Sequence, residues 1–123
     1  MTYAKTMMGA GTPAGQALAI SGYGTSGVSG AGTTATDATL LGPLSAHIAT
    51  GGAGNSGLKL YPCAAGDSTV IFNASGQTLL VYPPTGLQID ALTVTTGSFT
   101  LLNGQKALFT CATATRIVAI LSA

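Results

Sequence analysis

The fold class follows from one stretch of the chain, TVIFNASGQTLLVY (residues 69–82). It contains two runs of β-branched, aromatic and aliphatic residues, 69–73 and 78–82, separated by the small and polar residues 74–77. Runs of this composition with a short Ser/Gly turn between them are typical of β-strands. The stretch therefore predicts two strands joined as a hairpin.

The same pattern continues on both sides of this stretch. Further candidate strands are 38–41, 45–50, 58–61, 87–89, 92–95, 98–102, 106–110 and 115–121. Asn103-Gly104 stands between two of them, and this dipeptide is the strongest short-range signal for a hairpin. No stretch of ten or more residues has helical caps and a 3.6-residue apolar period. We therefore predict an all-β protein with one antiparallel β-sandwich or barrel-like domain over residues 37–123.

Two of the candidate strands, 78–82 and 117–121, are apolar on both faces. A strand in an antiparallel sheet with one wet face should alternate between apolar and polar residues. The loss of alternation implies that the second face is covered, either by the N-terminal segment or by another subunit. This is the main sequence argument for self-association.

The first part of the chain differs in composition from the rest. Of the 18 glycines, 13 lie at or before Gly57. Residues 1–36 are mostly Gly, Ala, Ser and Thr, which lose much entropy on folding and bury little surface in return. We expect a flexible or extended N-terminal arm here, either disordered or laid as an extended segment on a partner.

Charge is scarce, with four basic and three acidic residues and a net charge of +1. Four scattered cations cannot line a groove for a phosphate backbone or hold an anionic membrane surface, so we predict no nucleic-acid and no membrane partner. Mean hydropathy is positive, but each apolar run is too short for a spanning helix or a signal peptide. We expect a protein made in the cytoplasm whose apolar surface is covered by subunit contacts.

Residues that could support catalysis are few and isolated. His47 is the single histidine, and strand alternation makes it face away from the side of Ile48, which favours a structural or surface role over that of a general base. Asp37, Asp67 and Asp90 each lie beside turn residues, where Asp caps backbone groups. We predict that the protein is not an enzyme and has no catalytic residues.

Ligand sites are not indicated either. Residues 22–27 match the spacing of a glycine-rich phosphate loop, but no helix follows them. Cys63 and Cys111 lack metal-ligand spacing and are expected to be small buried thiols, and whether they pair is left open. We predict no cofactor and no metal.

Sugar binding by a small β-domain would use exposed aromatic rings. The tyrosines available are Tyr3, Tyr23, Tyr61 and Tyr82, and tryptophan is absent. Packing with satisfied hydroxyl groups is the favoured interpretation of these tyrosines.

The second half of the chain resembles a module of tailed-bacteriophage structural proteins. The motifs that carry the resemblance are GLKLYP (57–62), GDSTVIFNA (66–74), LVYPPTG (80–86), QID (88–90) and GQKALF (104–109). Their order and spacing, over residues 57–123, are more specific than any one of them. The chain departs from the pattern at Arg116-Ile117-Val118, where the family often has an aromatic residue.

The resemblance implies a virion component. Within this class the chain is similar to capsid decoration (cement) proteins. This similarity implies a homotrimer on the capsid surface whose partner is the major capsid protein. A tail, baseplate or head-fibre subunit is the alternative within this class. A carbohydrate-binding adhesin module is the alternative from another class.

Overall fold

The computed structural model describes residues 24–122, and this part of the chain is all-β, without a helix. Ten strands form. They are β1 (Gly24–Ser29), β2 (Thr39–Leu40), β3 (Ala46–Gly51), β4 (Ser56–Lys59), β5 (Ser68–Asn73), β6 (Leu79–Tyr82), β7 (Gln88–Ile89), β8 (Phe99–Leu101), β9 (Lys106–Cys111) and β10 (Arg116–Leu121).

Side-chain alternation explains why these segments are strands. In β9, Ala107, Phe109 and Cys111 are buried, whereas the residues between them are partly exposed. Successive side chains of a strand point to opposite faces, so this pattern gives one face to the core. Strands β2 to β10 lie within two residues of predicted strands, which confirms most of the local pattern.

The strand predicted at 92–95 is wrong. The segment folds back on itself instead, with the Thr95 N–H donating to the Leu87 carbonyl at 2.8 Å and the Gly97 N–H donating to the Thr93 carbonyl at 2.9 Å. Thr95 has a φ of 68°, which a strand does not contain. These local hydrogen bonds replace pairing with a neighbouring strand.

The strands form two sheets. One has the order β1-β3-β5-β9-β10-β7 and the other has the order β2-β4-β6-β8. From β1 to β8 each strand lies in the sheet opposite to its predecessor. Among the first six strands, odd strands therefore neighbour odd strands and even strands neighbour even ones. The first six strands therefore form a coil that passes alternately through both sheets, with parallel neighbours in each.

The predicted antiparallel arrangement is corrected by this topology, because both sheets are mixed. Five pairings are parallel, β1 with β3, β3 with β5, β2 with β4, β4 with β6 and β7 with β10. Three are antiparallel, β5 with β9, β9 with β10 and β6 with β8. A parallel pair requires a long connection. In the four parallel pairs among β1 to β6 that connection contains one strand of the other sheet, and between β7 and β10 it contains β8 and β9.

The two predicted hairpins are also wrong, although their turns form. Gln105 donates its N–H to the Leu102 carbonyl at 3.0 Å, and Gly104 takes a φ of 85°, which glycine accepts without strain. The turn nevertheless joins β8 of one sheet to β9 of the other. Strands β5 and β6 are divided between the sheets in the same way.

Both sheets contribute to one apolar core. From the six-stranded sheet come Ala49, Ile71, Ile89, Ala107, Phe109, Cys111 and Ile117; from the four-stranded sheet come Leu58, Leu79, Val81 and Leu101. The rings of Phe99 and Phe109 meet edge to face with centroids 5.4 Å apart. Phe99 belongs to the four-stranded sheet and Phe109 to the six-stranded one. An edge-to-face pair of this kind adds stability beyond that gained by burying the two rings.

Of the predicted N-terminal arm, residues 24–36 are described and residues 1–23 lie outside the described residues. Strand β1 pairs with β3, and Ala31 exchanges two hydrogen bonds with Gly57 at 2.9 and 3.0 Å. The Tyr82 hydroxyl donates to the Thr33 carbonyl at 3.0 Å. A Cβ on Gly57 would lie 2.8 Å from the Ala38 Cβ, so the close approach of these segments requires glycine. The division at residue 36 stays a prediction.

Asn73, at the end of β5, joins the two sheets through its buried amide. Its Nδ2 donates to the Leu101 carbonyl of β8 at 2.8 Å and to the Gln77 carbonyl at 2.7 Å. Its Oδ1 accepts from the Ser75 N–H at 3.0 Å and from the Ser75 hydroxyl at 2.6 Å. The side chain is fully buried, so all of its polar atoms depend on these four bonds.

Replacing this amide should therefore be costly. We expect Asn73→Ala to lower the free energy of unfolding by about 2 kcal/mol, because it removes the Asn73 donor from the buried Leu101 carbonyl. The Gln77 carbonyl keeps the Ser75 hydroxyl as a donor at 3.1 Å. Asn103→Ala is the matched control, since the Asn103 side chain accepts one exposed hydrogen bond from the Gly76 N–H, and it should cost less than about 1 kcal/mol. Urea unfolding measures both. Equal losses in the two variants would contradict the bridging role of Asn73.

Candidate functional site

The outward face of the six-stranded sheet is apolar. Residues of β3, β5, β9 and β10 that alternate with the core positions point away from the core, and we call the apolar ones among them the outer apolar face. They are Ile48, Val70, Phe72, Leu108, Val118 and Ile120. Ile120 is 60% exposed, Val118 40% and Ile48 39%.

Strand register makes this face continuous. Ile120 stands beside Leu108, Leu108 beside Val70, and Val70 beside Ala46. The row crosses four strands, which corresponds to about 14 Å at the usual strand spacing. Side chains directly opposite each other on neighbouring strands are in reach of contact. Exposed apolar patches that extend over several strands are typical of interaction sites.

Charge on this face is limited to two cations. Lys106 lies in β9 with its Nζ 4.8 Å from the centre of the Phe72 ring, a cation–π contact. Arg116 begins β10. No carboxylate occupies an outward position of β3, β5, β9 or β10. The face can therefore be covered without burying an acidic group.

A pocket of about 230 Å³ lies where the two sheets meet at one end, and we call it the end pocket. Apolar walls come from both sheets and their connections, including Leu41, Leu60, Phe109 and Ile117. Its polar groups include His47, Cys63, Cys111 and Asp67. No local pattern in the sequence indicates this pocket, because its walls come from segments far apart in the chain.

His47 is the most unusual side chain of the end pocket. It lies in β3 on the face opposite to Ile48, as strand alternation predicts. That face is the core side, and His47 is 2% exposed. Within residues 24–122 neither Nδ1 nor Nε2 makes a hydrogen bond of accepted geometry. Burial lowers the pKa of the imidazole, although the nearby carbonyl groups of Leu44 and Gly42 act in the opposite direction. The ring is therefore neutral at physiological pH.

The two cysteines meet in the same pocket as reduced thiols. Burial, then the adjacent thiol of Cys111 and the charge of Asp67, raise the pKa of the Cys63 thiol to about 12. The Cys111 Sγ donates to the Thr113 carbonyl at 3.2 Å. Over the described range, no group of three or more His, Cys, Asp or Glu side chains is arranged to hold a metal ion.

Each of the three acids accepts a hydrogen bond from the backbone. The bonds of Asp37 and Asp67 are local, as their turn positions predict, whereas that of Asp90 reaches β10. Asp37 Oδ1 accepts from the N–H groups of Thr33 and Thr34 at 3.1 and 2.8 Å, and the backbone and hydroxyl bonds of Thr34 lower the pKa of this carboxyl. Asp67 Oδ2 accepts from the Ala64 N–H at 2.9 Å. Asp90 Oδ1 accepts from the Ala119 N–H at 3.1 Å. These carboxylates are separate structural groups.

The tyrosines and the glycine pattern at 22–27 do not come together in one site among the described residues. Tyr82 is buried with its hydroxyl bonded, whereas Tyr61 is 45% exposed at the end pocket. Tyr3 and Tyr23 lie outside the described residues, as does the start of the 22–27 glycine pattern. The rest of that pattern lies in β1, which no helix follows.

Comparisons of the chain with family models, with curated proteins and with solved structures found no match. No helix among residues 24–122 is long and apolar enough to cross a membrane.

The buried imidazole should make stability depend on pH. Because the folded-state pKa is below the ordinary value of 6.5, the unfolded chain binds more protons and the free energy of unfolding falls as pH drops through 6.5. The slope is at most about 1.4 kcal/mol per pH unit for one group. Urea unfolding between pH 7 and pH 5 measures it, and His47→Gln should flatten the curve. Asp37 acts only below its ordinary pKa of 3.8, outside this range, so parallel curves would contradict the assignment.

The Cys63 thiol should resist alkylation in the folded protein. At pH 8 a thiol with a pKa of about 12 holds roughly a thousandfold less thiolate than an ordinary cysteine. We therefore expect iodoacetamide to modify Cys63 far more slowly in the native protein than in urea, measured by peptide mass spectrometry. Equal rates in both states would show that the thiol is not in the environment described.

Proposed function

We propose that this chain is a structural component of a tailed-bacteriophage virion, acting as a capsid decoration (cement) protein on the outer head surface. The outer apolar face is the observation that carries the proposal. A protein that acts by binding neighbouring subunits needs an apolar surface of this kind, whereas an isolated domain that exposes one is prone to aggregate. The motif resemblance over residues 57–123 supports the assignment to a virion.

Burial of the outer apolar face would supply the binding energy. Fully burying a side chain such as Ile, Val or Phe is worth about 1.5–3 kcal/mol, and this face offers Ile120, Val118, Ile48 and Phe72, all partly or largely exposed. Part of that gain is offset by the loss of translational and rotational freedom on association. Repeated copies on one capsid would multiply the remainder through avidity.

The scarcity of charge supports the same mechanism. With a net charge of +1, copies of the chain repel each other little, and long-range attraction is also small. Association through this face should therefore depend on apolar contact and not weaken as salt is added. This behaviour suits a particle that must stay assembled in varied media.

In the proposed assembly a homotrimer contacts the major capsid protein. The trimer and the partner rest on the resemblance. A tail, baseplate or head-fibre subunit would use the same face against other neighbours. The carbohydrate-binding alternative has one observation in its favour, the exposed Tyr61 ring beside the end pocket.

The role of the outer apolar face can be tested with one charge. Ile120→Asp places a carboxylate at the most exposed position of the face and should convert associated wild-type protein into monomer, measured by sedimentation equilibrium. Leu102→Asp is the matched control, because Leu102 is 49% exposed on the β8–β9 turn, away from this face. Unchanged far-UV circular dichroism confirms that both variants fold. A wild-type protein that stays monomeric, or equal effects of the two variants, would contradict the proposal.

Location within the virion decides between the candidate roles. Immunogold labelling of intact virions with an antibody against this chain should place label over the heads. Label confined to the tail or to one vertex would move the assignment to a tail, baseplate or fibre subunit. Absence of label from every particle would overturn the virion assignment, and binding to a glycan array would then favour the adhesin alternative.

A further inference from the structure

Cys63 and Cys111 come from distant parts of the chain, and a tight turn brings them together. The Cys111 N–H donates to the Asp67 carbonyl at 2.8 Å, and the Gly66 N–H donates to the Cys111 carbonyl at 2.7 Å. The turn is closed by the Asp67 N–H, which donates to the Ala64 carbonyl at 3.0 Å. Asp67 Oδ2 also accepts from the Ala64 N–H at 2.9 Å. Because Cys63 immediately precedes this turn, the chain at Cys63 lies back against Cys111.

The two thiol groups face each other. The Cys111 Sγ donates its proton to the Thr113 carbonyl at 3.2 Å, and a side-chain hydrogen bond joins Cys63 to Cys111. A thiol has one proton to donate, so Cys63 is the donor in that second bond and the Cys111 sulfur is the acceptor. Cysteines whose side chains point apart cannot be bridged without moving the backbone. These two side chains already point toward each other.

Exposure sets an order in which the two sulfur atoms can react. Cys111 is buried, whereas Cys63 is half-buried and the four residues that follow it are exposed. A small oxidant can therefore reach Cys63 from solvent, with Cys111 held behind it. The chain contains only these two cysteines, so no other pairing within the chain competes.

We propose that Cys63 and Cys111 form an intramolecular disulfide when the folded protein meets an oxidised small-molecule disulfide such as glutathione disulfide. The Cys63 thiolate attacks one sulfur of the oxidant and releases one small thiolate. The Cys111 thiolate then attacks the Cys63 sulfur of the mixed disulfide and releases the second. One S–S bond of the oxidant is broken and one forms in the protein, and the two released thiolates take up the two cysteine protons.

The disulfide would fasten the connection between β4 and β5, which contains Cys63, to the end of β9, which contains Cys111. The Thr113 carbonyl loses the Cys111 donor, but Thr113 is exposed and water can replace the bond. Formation should be slow, because the high pKa of Cys63 leaves little thiolate for the first step. The inference requires only that the protein leaves the reducing cytoplasm, and it does not depend on the function proposed above.

Equilibration of the full chain with a mixture of reduced and oxidised glutathione tests the proposal. After acid quenching and alkylation in urea, peptide mass spectrometry measures the ratio of the Cys63–Cys111 disulfide to the dithiol. This ratio should be roughly a hundredfold higher in buffer than in urea, since the native structure holds the two sulfur atoms together. Equal ratios in the two solvents, or a product that stops at the mixed disulfide of Cys63 with glutathione, would overturn the proposal.

The oxidised protein should also be the more stable one. The disulfide should raise the midpoint of urea unfolding by roughly 1 M, because it closes a long loop in the unfolded chain. Cys63→Ser is the matched control, since it retains the buried Cys111, and glutathione disulfide should leave its midpoint unchanged. An unchanged or lower midpoint for oxidised wild-type protein would show that the native structure does not accommodate the bond. The mass-spectrometric ratio needs only wild-type protein, so the proposal stays testable if Cys63→Ser does not fold.

Discussion

The structure depends on one core that two sheets must fill together. Leu58, Leu79 and Val81 of the smaller sheet pack with Ile71 and Ile117 of the larger one, and all five are buried. Neither sheet could cover its own apolar side chains alone, so the chain returns to each sheet in alternate strands. Parallel pairing is the consequence, because strands that occupy the same sheet are separated in sequence by a strand of the other.

The same constraint explains the position of Asn73. A strand that ends in one sheet and is followed by a strand of the other leaves backbone carbonyl groups at the crossing point. The buried amide of Asn73 satisfies two of them, those of Leu101 and Gln77. Glycine has a related role at Gly57, where Ala31 approaches closely enough for two backbone hydrogen bonds. Polar and small residues therefore allow the chain to pass from one sheet to the other, and apolar residues stabilise the packed sheets.

Two surfaces remain after the core is complete. The outer apolar face is left because strands β5, β9 and β10 carry apolar residues at positions that alternate with the core. The end pocket is left because the two sheets do not close completely where Leu41, Leu60 and Phe109 meet. The first surface extends across four strands. The second is a pocket of about 230 Å³ whose walls come from both sheets.

Local pattern in the sequence determined the β class, most strand positions, the turns, the capping by Asp37 and Asp67 and the placement of His47 and Ile48 on opposite faces. Each depends on residues within a few positions of one another, where propensity and alternation act directly. The apolar outer side of 117–121 was also visible, since a strand without polar alternation must present apolar residues on both faces. The sheet to which each strand belongs could not be predicted from the sequence. The turn at Asn103-Gly104 has the same local geometry whether its strands pair or separate, and only the core decides which occurs. The proximity of Cys63 to Cys111 and the formation of the end pocket follow from sheet membership, because both bring together segments that are far apart in the chain.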